Sequence, residues 1–235
     1  MKKIRWFLDP ARSADWNMAV DEALMEGQAT PAALPVLRFY SWERPSISVG
    51  YFQKVEDISC RFRVAEKKIP LVRRMTGGGL VQHGSDLTFS LSIPASNPYF
   101  STDVKTSYLR INEALRVGLK ELYPKIDYAD CKSVPSGRAQ GGDRICFEAP
   151  SCYDLLIQGK KIVGASQRRL NGTLLHQSAV FLDRPAEELI PKILSGFKKE
   201  WRVEFEEMPL TKPELEKAGQ KRKERYNLPE WGTGL

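Results

Sequence analysis

Two constellations in this sequence combine residue types that could do chemistry. The first is the stretch Leu71 to Pro94, LVRRMTGGGLVQHGSDLTFSLSIP. Three consecutive glycines, Gly77, Gly78 and Gly79, remove every side chain from a short path and let backbone N–H groups approach a ligand closely. Arg73 and Arg74 end the strand-like run before them, where alternation lets one guanidinium face a site and sends the other outward. That would place positive charge beside a glycine cradle, although an ordinary glycine-rich hairpin with solvated arginines fits the same residues. The second is Cys146, which follows a long stretch without periodicity and lies near Arg144. A thiol there is a nucleophile if local positive charge lowers its pKa from about 8.5. Free cysteines are often simply small buried hydrophobes, and that reading is taken for Cys60, Cys131 and Cys152.

Spacing excludes two familiar ligand loops. A P-loop closes its glycine run with Gly-Lys-Ser/Thr and a helix, whereas Leu80, Val81 and Gln82 lead here to His83 and another strand. A dinucleotide fingerprint needs a third glycine at a fixed offset and a helix, and neither is present. No CxxC pair exists among the four cysteines, and with two histidines a zinc site is not expected. That cysteine usage fits a reduced, cytosolic chain better than a disulfide framework.

The elements that must position these residues read as an α+β arrangement (α/β-type), a mixed β-sheet flanked by helices. With 235 residues, 42% of them hydrophobic, the chain is expected to form one domain over 1–235, ending in a helical segment from about 185. Ile4 to Leu8 reads as a strand, and Ser13 or Asp15 caps a helix to about Glu26. Strands follow at Val36 to Tyr40 and Ser46 to Gly50, and a mixed-charge helix at Val55 to Lys68. Asp103 to Leu122 is an amphipathic packing helix with Val104, Leu109, Ala114, Leu115, Val117, Leu119 and Leu122 near one stripe. Lys125 to Ala129 is a short strand, and the aperiodic stretch Cys131 to Arg144 reads as a functional or mobile loop. Tyr153 to Ile157 and Lys161 to Ser166 form a hairpin across Gln158 and Gly159. A second hairpin turns at Asn171-Gly172 into Thr173 to Leu182. Ala186 to Lys199 and Lys212 to Tyr226 read as two terminal helices. In the first helix, Asp21 and Glu22 point about 100° apart and cannot share a site.

The net charge of +7 suggests an acidic partner. The densest basic clusters, Lys198, Lys199 and Arg202, then Lys221, Arg222, Lys223 and Arg225, read as solvated helix faces. No apolar run is long enough for a membrane span and the N-terminus has no signal-peptide pattern, so a cytoplasmic location is expected.

The glycine stretch resembles the RR-x-T/S-GGG-x-V-x-H signature of the biotin/lipoate A/B protein ligase family, which contains lipoate–protein ligases and octanoyl and lipoyl transferases. Asn17, Met18, Asp21, Glu22, Ala23 and Leu24 match the family's first helix. Trp42, Pro45, Ser48, Gly50 and Gln53 match a motif that lies near its acyl-binding pocket. The resemblance runs from Trp6 to about Leu182 and implies a catalytic domain of that type. It further implies that Arg73, Thr76, Gly77, Gly78, Gly79, His83, Ser48, Gly50 and Gly164 bind substrate. His83 could be a base or a hydrogen-bonded strut.

Around Cys146, C-F-x-A-P-S resembles the LipM-type octanoyltransferases of that family, in which the cysteine carries the acyl group. Read from residue type alone, Lys161 would be a surface lysine. Here, however, G-K-K-I-V-G-A-S-Q resembles the family's G-x-K-x-x-G-S-A-Q, whose second lysine points into the active site. The two middle residues, Ala165 and Ser166, are in swapped order. The resemblance thus implies Cys146 and Lys161 as catalytic residues, with no metal, no cofactor and no ATP. The expected reaction passes an octanoyl group from acyl carrier protein through Cys146 to a lysine of a lipoyl domain or the glycine cleavage H protein. Both partners are acidic proteins of the kind a basic surface steers, and neither a nucleic acid nor a membrane is expected to bind. A buried eight-carbon chain would contribute roughly 5 kcal/mol, at about 0.8 per methylene.

Three alternatives remain open. An ATP-dependent lipoate–protein ligase would use the same glycine loop, although ligases usually read H-D-x-G-N where this chain has His83, Gly84, Ser85, Asp86 and Leu87. An amidotransferase moving acyl groups between lipoyl-accepting proteins also uses a cysteine, and Ser166 to Arg169 look somewhat like that group. A non-catalytic module binding acyl carriers or nucleic acid is the reading from a different class.

Overall fold

The computed structural model describes residues 2–30, 32–99, 103–130 and 150–233. In the N-terminal third, β1 (Lys2–Leu8), α1 (Ala14–Gly27), β2 (Val36–Tyr40), β3 (Ser46–Val49), α2 (Val55–Arg61) and α3 (Val64–Lys67) follow one another. The middle holds β4 (Leu71–Arg73), β5 (Val81–His83), β6 (Leu87–Pro94), α4 (Val104–Leu119) and β7 (Ile126–Tyr128). Then come β8 (Leu155–Ile157), β9 (Lys160–Lys161), β10 (Val163–Leu170) and β11 (Thr173–Val180). The chain closes with α5 (Ala186–Trp201), β12 (Val203–Glu207), α6 (Lys212–Lys221), extended by a π-helical turn over Arg222–Tyr226, and β13 (Gly232–Thr233).

Six strands form the main sheet in the order β10-β11-β6-β2-β1-β12. It is mixed: β1 pairs in parallel with both β2 and β12, while β2, β6, β11 and β10 are successively antiparallel. Every residue of β2, β6 and β11 is buried, so both faces are covered. Alternation along β6 then decides which side chains go where. Leu87, Phe89, Leu91 and Ile93 join α4 and α5 in the largest apolar cluster. Thr88, Ser90 and Ser92 lie on the opposite face, that of α1, where Ser90 Oγ donates to Asp21 of that helix. The two helices of the apolar face touch closely: a Cβ on Gly196 would sit 2.0 Å from the Ala114 carbonyl oxygen.

The polar face is held by a buried ionic network. Arg38 is fully buried and donates to Asp9 (2.8 Å) and Asp21 (2.7 Å). Tyr40 and Gln177 donate to the other Asp21 oxygen. Glu22 turns to different partners, Arg225 (2.7 Å) and the Tyr226 hydroxyl (2.6 Å), so the adjacent carboxylates of α1 do separate work. This corrects the reading of the second basic cluster as solvated. Lys221 and Arg222 bind Glu26 and Asp15, and with Arg225 they dock the C-terminal helix on α1.

The glycine stretch is not a hairpin. Its flanking strands β4 and β6 belong to different sheets, and an unforeseen short strand, β5, lies between them. A four-stranded sheet, β13-β4-β3-β5, places β3 between β4 and β5. The expected strand Lys161 to Ser166 is likewise divided. Lys161 pairs with β8 in a three-stranded sheet, β7-β8-β9, and after Ile162 the chain crosses into the main sheet as β10. The helix expected over Val55 to Lys68 breaks at Arg63, whose φ of 52° ends α2 and starts α3. On α4, Val104 is 49% exposed, and Ile111 and Gly118 take places on the buried face. Cys60 is exposed rather than buried, and Cys152 is disulfide-bonded, against the expectation for both. Spatial proximity makes a disulfide, and sequence spacing does not reveal it.

Candidate active site

A small cleft, partly open to solvent, lies between the main sheet and the β3–β5 layer. Its apolar lining comes from Met18, Tyr40, Trp42, Val81, Ala165 and Ala179, and its polar lining includes Ser48, Arg74, His83 and Ser166.

The glycine turn forms one edge. Gly78 has φ +91° and is exposed, a conformation that favours glycine. Gly50 packs so closely beneath it that a Cβ there would lie 1.9 Å from the Gly78 carbonyl oxygen. Arg74 occupies the inside of the turn. Its guanidinium donates to the carbonyls of Gly77, Gly79 and Ser48, each at 2.9 Å, and to Ser48 Oγ at 2.8 Å. Among the described residues, the N–H groups of the three glycines donate to no main-chain acceptor. The inward arginine is therefore Arg74. Arg73, assigned to substrate from sequence, points the other way and donates to the carbonyls of Tyr51 (2.7 Å) and Gln53 (2.6 Å). Period-two alternation accounts for this, since Arg74 and Thr76 are both buried and share one parity while Arg73 has the other.

Thr76 links the turn to the main sheet. Its hydroxyl donates to Gln177 Oε1 and accepts from Ser166 Oγ, both at 2.7 Å. Because Gln177 also donates to Asp21 (2.7 Å), an unbroken polar chain runs from helix α1 to the glycine turn.

His83 stacks on Trp42 with ring centroids 3.9 Å apart. Its Nδ1–H donates to Asp86 (2.8 Å), and its Nε2 accepts from the Ser48 hydroxyl (2.7 Å). Burial lowers the imidazole pKa despite the neighbouring carboxylate. Burial alone would raise Asp86, but His83 together with bonds from Thr88 and the Gly84 N–H brings it below its usual range. With both ring nitrogens engaged, the geometry fits the strut rather than the free base. The other histidine, His176, is pushed down to about 3 by burial and by Arg169 nearby.

Both histidines therefore give the same dependence of stability on pH. Each folded-state pKa lies below the unfolded value of about 6.5, so acid protonates the unfolded chain first. Their contribution is complete above about pH 6.5 and is lost as pH falls toward the folded values. The expected slope is up to about 1.4 kcal/mol per pH unit for each histidine. Thermal midpoints measured from pH 7.5 to 5 check this, and a flat profile there contradicts it.

Lys161 is buried, at 7% exposure. Its ammonium lies 2.7 Å from Asp154, which also accepts from the Ser151 N–H (2.6 Å). The lysine stands three residues before Gly164, where β10 begins to line the cleft. Cys146 and its neighbour Arg144 lie outside the described residues, as do Cys131 and the loop Cys131 to Arg144. Of the substrate-binding set expected from sequence, Ser48, His83 and Gly164 line the cleft. Gly50, Thr76 and Gly77 to Gly79 build the turn at its edge, and Arg73 stands apart. Sequence reasoning did not assign Arg74, Asp86, Asp154 or Gln177 to the site. The shared parity of Arg74 with Thr76 was a usable signal, whereas the partners of Asp154 and Gln177 are set by contacts between distant strands.

An apolar cleft between two sheets, with a fixed cation under a glycine turn at its edge, makes a candidate ligand site on an α+β fold. Residues 13–206 match the model of the lipoyl protein ligase A/B catalytic domain, and the chain belongs to that family. It is 32% identical over 255 residues to octanoyltransferase LipM of Carboxydothermus hydrogenoformans, covering 92% of this chain and 93% of the relative. It is 37% identical to octanoyltransferase LipM of Bacillus cereus over 75% of this chain, and spans 64% of that relative's length. A solved structure of a putative lipoate protein ligase from T. acidophilum matches in fold with a TM-score of 0.79, at 24% identity and covering all of both chains. The expected fold class and the expected enzyme class, an acyltransferase of this family, both hold. No helix among the described residues is long and apolar enough to cross a membrane.

Proposed function

We propose that this protein transfers an octanoyl group from a thioester on acyl carrier protein to a lysine of a lipoyl domain or the glycine cleavage H protein, in the cytoplasm. The observation that carries the reading is the narrow apolar cleft, which ends beside Arg74 and the glycine turn, with the buried Lys161 three residues before its wall. In the first step the Cys146 thiolate attacks the thioester carbonyl. A new C–S bond forms, the donor's C–S bond breaks, and the donor leaves as a thiolate that takes up a proton. In the second step the neutral ε-amine of the acceptor lysine attacks the S-acyl enzyme, loses a proton as the amide forms, and releases the Cys146 thiolate. The Lys161 ammonium supplies positive charge near the oxygen on which negative charge develops, and near the thiolate itself. The thioester is already activated, so ATP has no part in either step.

The relatives named octanoyltransferase support this reading over that of an ATP-dependent ligase. Intact-mass spectrometry after mixing the protein with octanoyl-acyl carrier protein, without ATP, tests it. The expected result is a gain of one octanoyl group in the wild type and none in Cys146→Ser. If neither protein gains mass, and free lipoate with ATP modifies a lipoyl domain instead, the ligase reading replaces it.

A further inference from the structure

We infer that the turn Tyr51 to Gln53 is the docking point for the acyl-accepting protein, with Phe52 as its anchor. This rests on the transferase reading above. Phe52 is 84% exposed, and no other large hydrophobic side chain among the described residues exceeds 49%. A lone exposed apolar residue is ordinary on a protein surface. What sets this one apart is that the chain around it is tied down from several sides.

Arg73 donates to the carbonyls of both neighbours of Phe52, at 2.7 and 2.6 Å, and its Nε reaches the Glu230 carbonyl at 3.2 Å. The Gln53 side chain accepts from the Gly50 N–H (2.8 Å), and the Tyr51 N–H donates to the Thr76 carbonyl (2.9 Å). The Tyr51 ring carries the Arg168 guanidinium at 4.6 Å and meets Trp231 edge-on at 5.9 Å. A turn fixed in this way presents its aromatic tip without further ordering, which is what makes an anchor residue effective at an interface.

Position and charge name the occupant. Phe52 is two residues beyond Gly50, which packs against Gly78 at the edge of the cleft. Arg73 and Arg168 flank the same aromatic group and Lys54 follows it, while Arg225, 4.7 Å over the Trp231 ring, has its charge paired with Glu22. On a chain of net charge +7, that rim is complementary to an acidic protein. A lysine side chain has only a four-carbon stem. The body of the protein that offers it must therefore rest against the rim, whereas a donor can deliver its acyl chain on a long arm from further away. The partner is thus an acidic domain presenting its reactive lysine at the surface, and Phe52 inserts between that domain's apolar side chains.

Phe52→Ala removes an exposed side chain and leaves the turn's hydrogen bonds in place. Steady-state transfer to an isolated lipoyl domain is expected to show its KM raised roughly tenfold or more. The kcat, and the rate of S-acylation from octanoyl-acyl carrier protein, should stay within about twofold. Calorimetric titration of the lipoyl domain into each protein gives a second, activity-independent measure, with the same loss expected in Kd. Unchanged KM and Kd overturn the inference. So does a slowed S-acylation, which would assign the turn to the donor, or a wild-type dimer that the variant dissolves, which would assign it to a second copy. If the wild type is never S-acylated, the transferase reading fails, and calorimetry still decides whether Phe52 holds the domain.

Discussion

Lys161→Met is expected to slow octanoyl transfer by about 10²–10³-fold, the loss typical when one preorganised donor facing a developing oxyanion is removed. Methionine keeps the length of the apolar stem and deletes only the charge. The side chain is buried on the last residue of β9, ahead of the crossing into the main sheet, so no solvent cation can replace it. The substitution also strips Asp154 of its partner at 2.7 Å. Breaking a buried pair costs roughly 3–5 kcal/mol, but Asp154 keeps the Ser151 N–H, so the loss should fall below that range. The double variant Lys161→Met/Asp154→Asn separates the two effects: its thermal midpoint should recover and its rate should not. Single-turnover transfer and thermal unfolding on the same samples provide the check. A rate that recovers together with stability would make Lys161 a structural partner of Asp154 and nothing more.

The second large effect belongs to a residue that does not line the cleft. Asp21→Ala should destabilise the protein by about 3–5 kcal/mol, because it leaves Arg38 buried with Asp9 as its remaining carboxylate partner. For a chain of this size the thermal midpoint should drop by roughly 10 °C. Four donors lose an acceptor at once: Arg38, Tyr40, Ser90 and Gln177. Gln177 in turn holds Thr76, so transfer activity should fall even at temperatures where the variant is fully folded. Activity and circular dichroism at 15 °C test the second part. Full activity in a folded variant would show that the polar chain supports the fold without positioning the turn.

Local chemistry in the sequence located most elements. The hairpin at Asn171-Gly172 forms as its turn residues demand, with φ of 50° and 72°. The turn at Gln158 and Gly159 also has two positive φ angles, 51° and 78°. The periodic helices α1 and α4 lie where their patterns put them. What remained hidden depends on which strand meets which. β5 has three residues and no distinctive pattern, and it becomes a strand only because β3 lies beside it. The partition of Lys161 and Val163 into different sheets is invisible to a rule that reads one strand at a time. The basic cluster at Lys221 to Arg225 looks solvated until Asp15, Glu22 and Glu26 are known to face it. In the site, motif spacing pointed to the glycine turn, Lys161 rested on the family resemblance and stands outside the cleft lining, and the choice between Arg73 and Arg74 needed the alternation fixed by the buried Thr76.

The parallel pairing of β1 with β12 joins residues 2–6 to residues 203–207. During synthesis, β1 has its outer edge open until β12, about 200 residues further on, has emerged. At about 5–20 residues per second, that interval is on the order of 10–40 s. An uncovered edge strand is a template for pairing with other chains. The charges that β1 and β12 bring together, Lys2 and Lys3 against Glu204 and Glu206, therefore act before the fold is complete as well as after it. On the nascent chain the basic residues of β1 repel a second copy of the same strand, and they accept the acidic β12 once it has emerged.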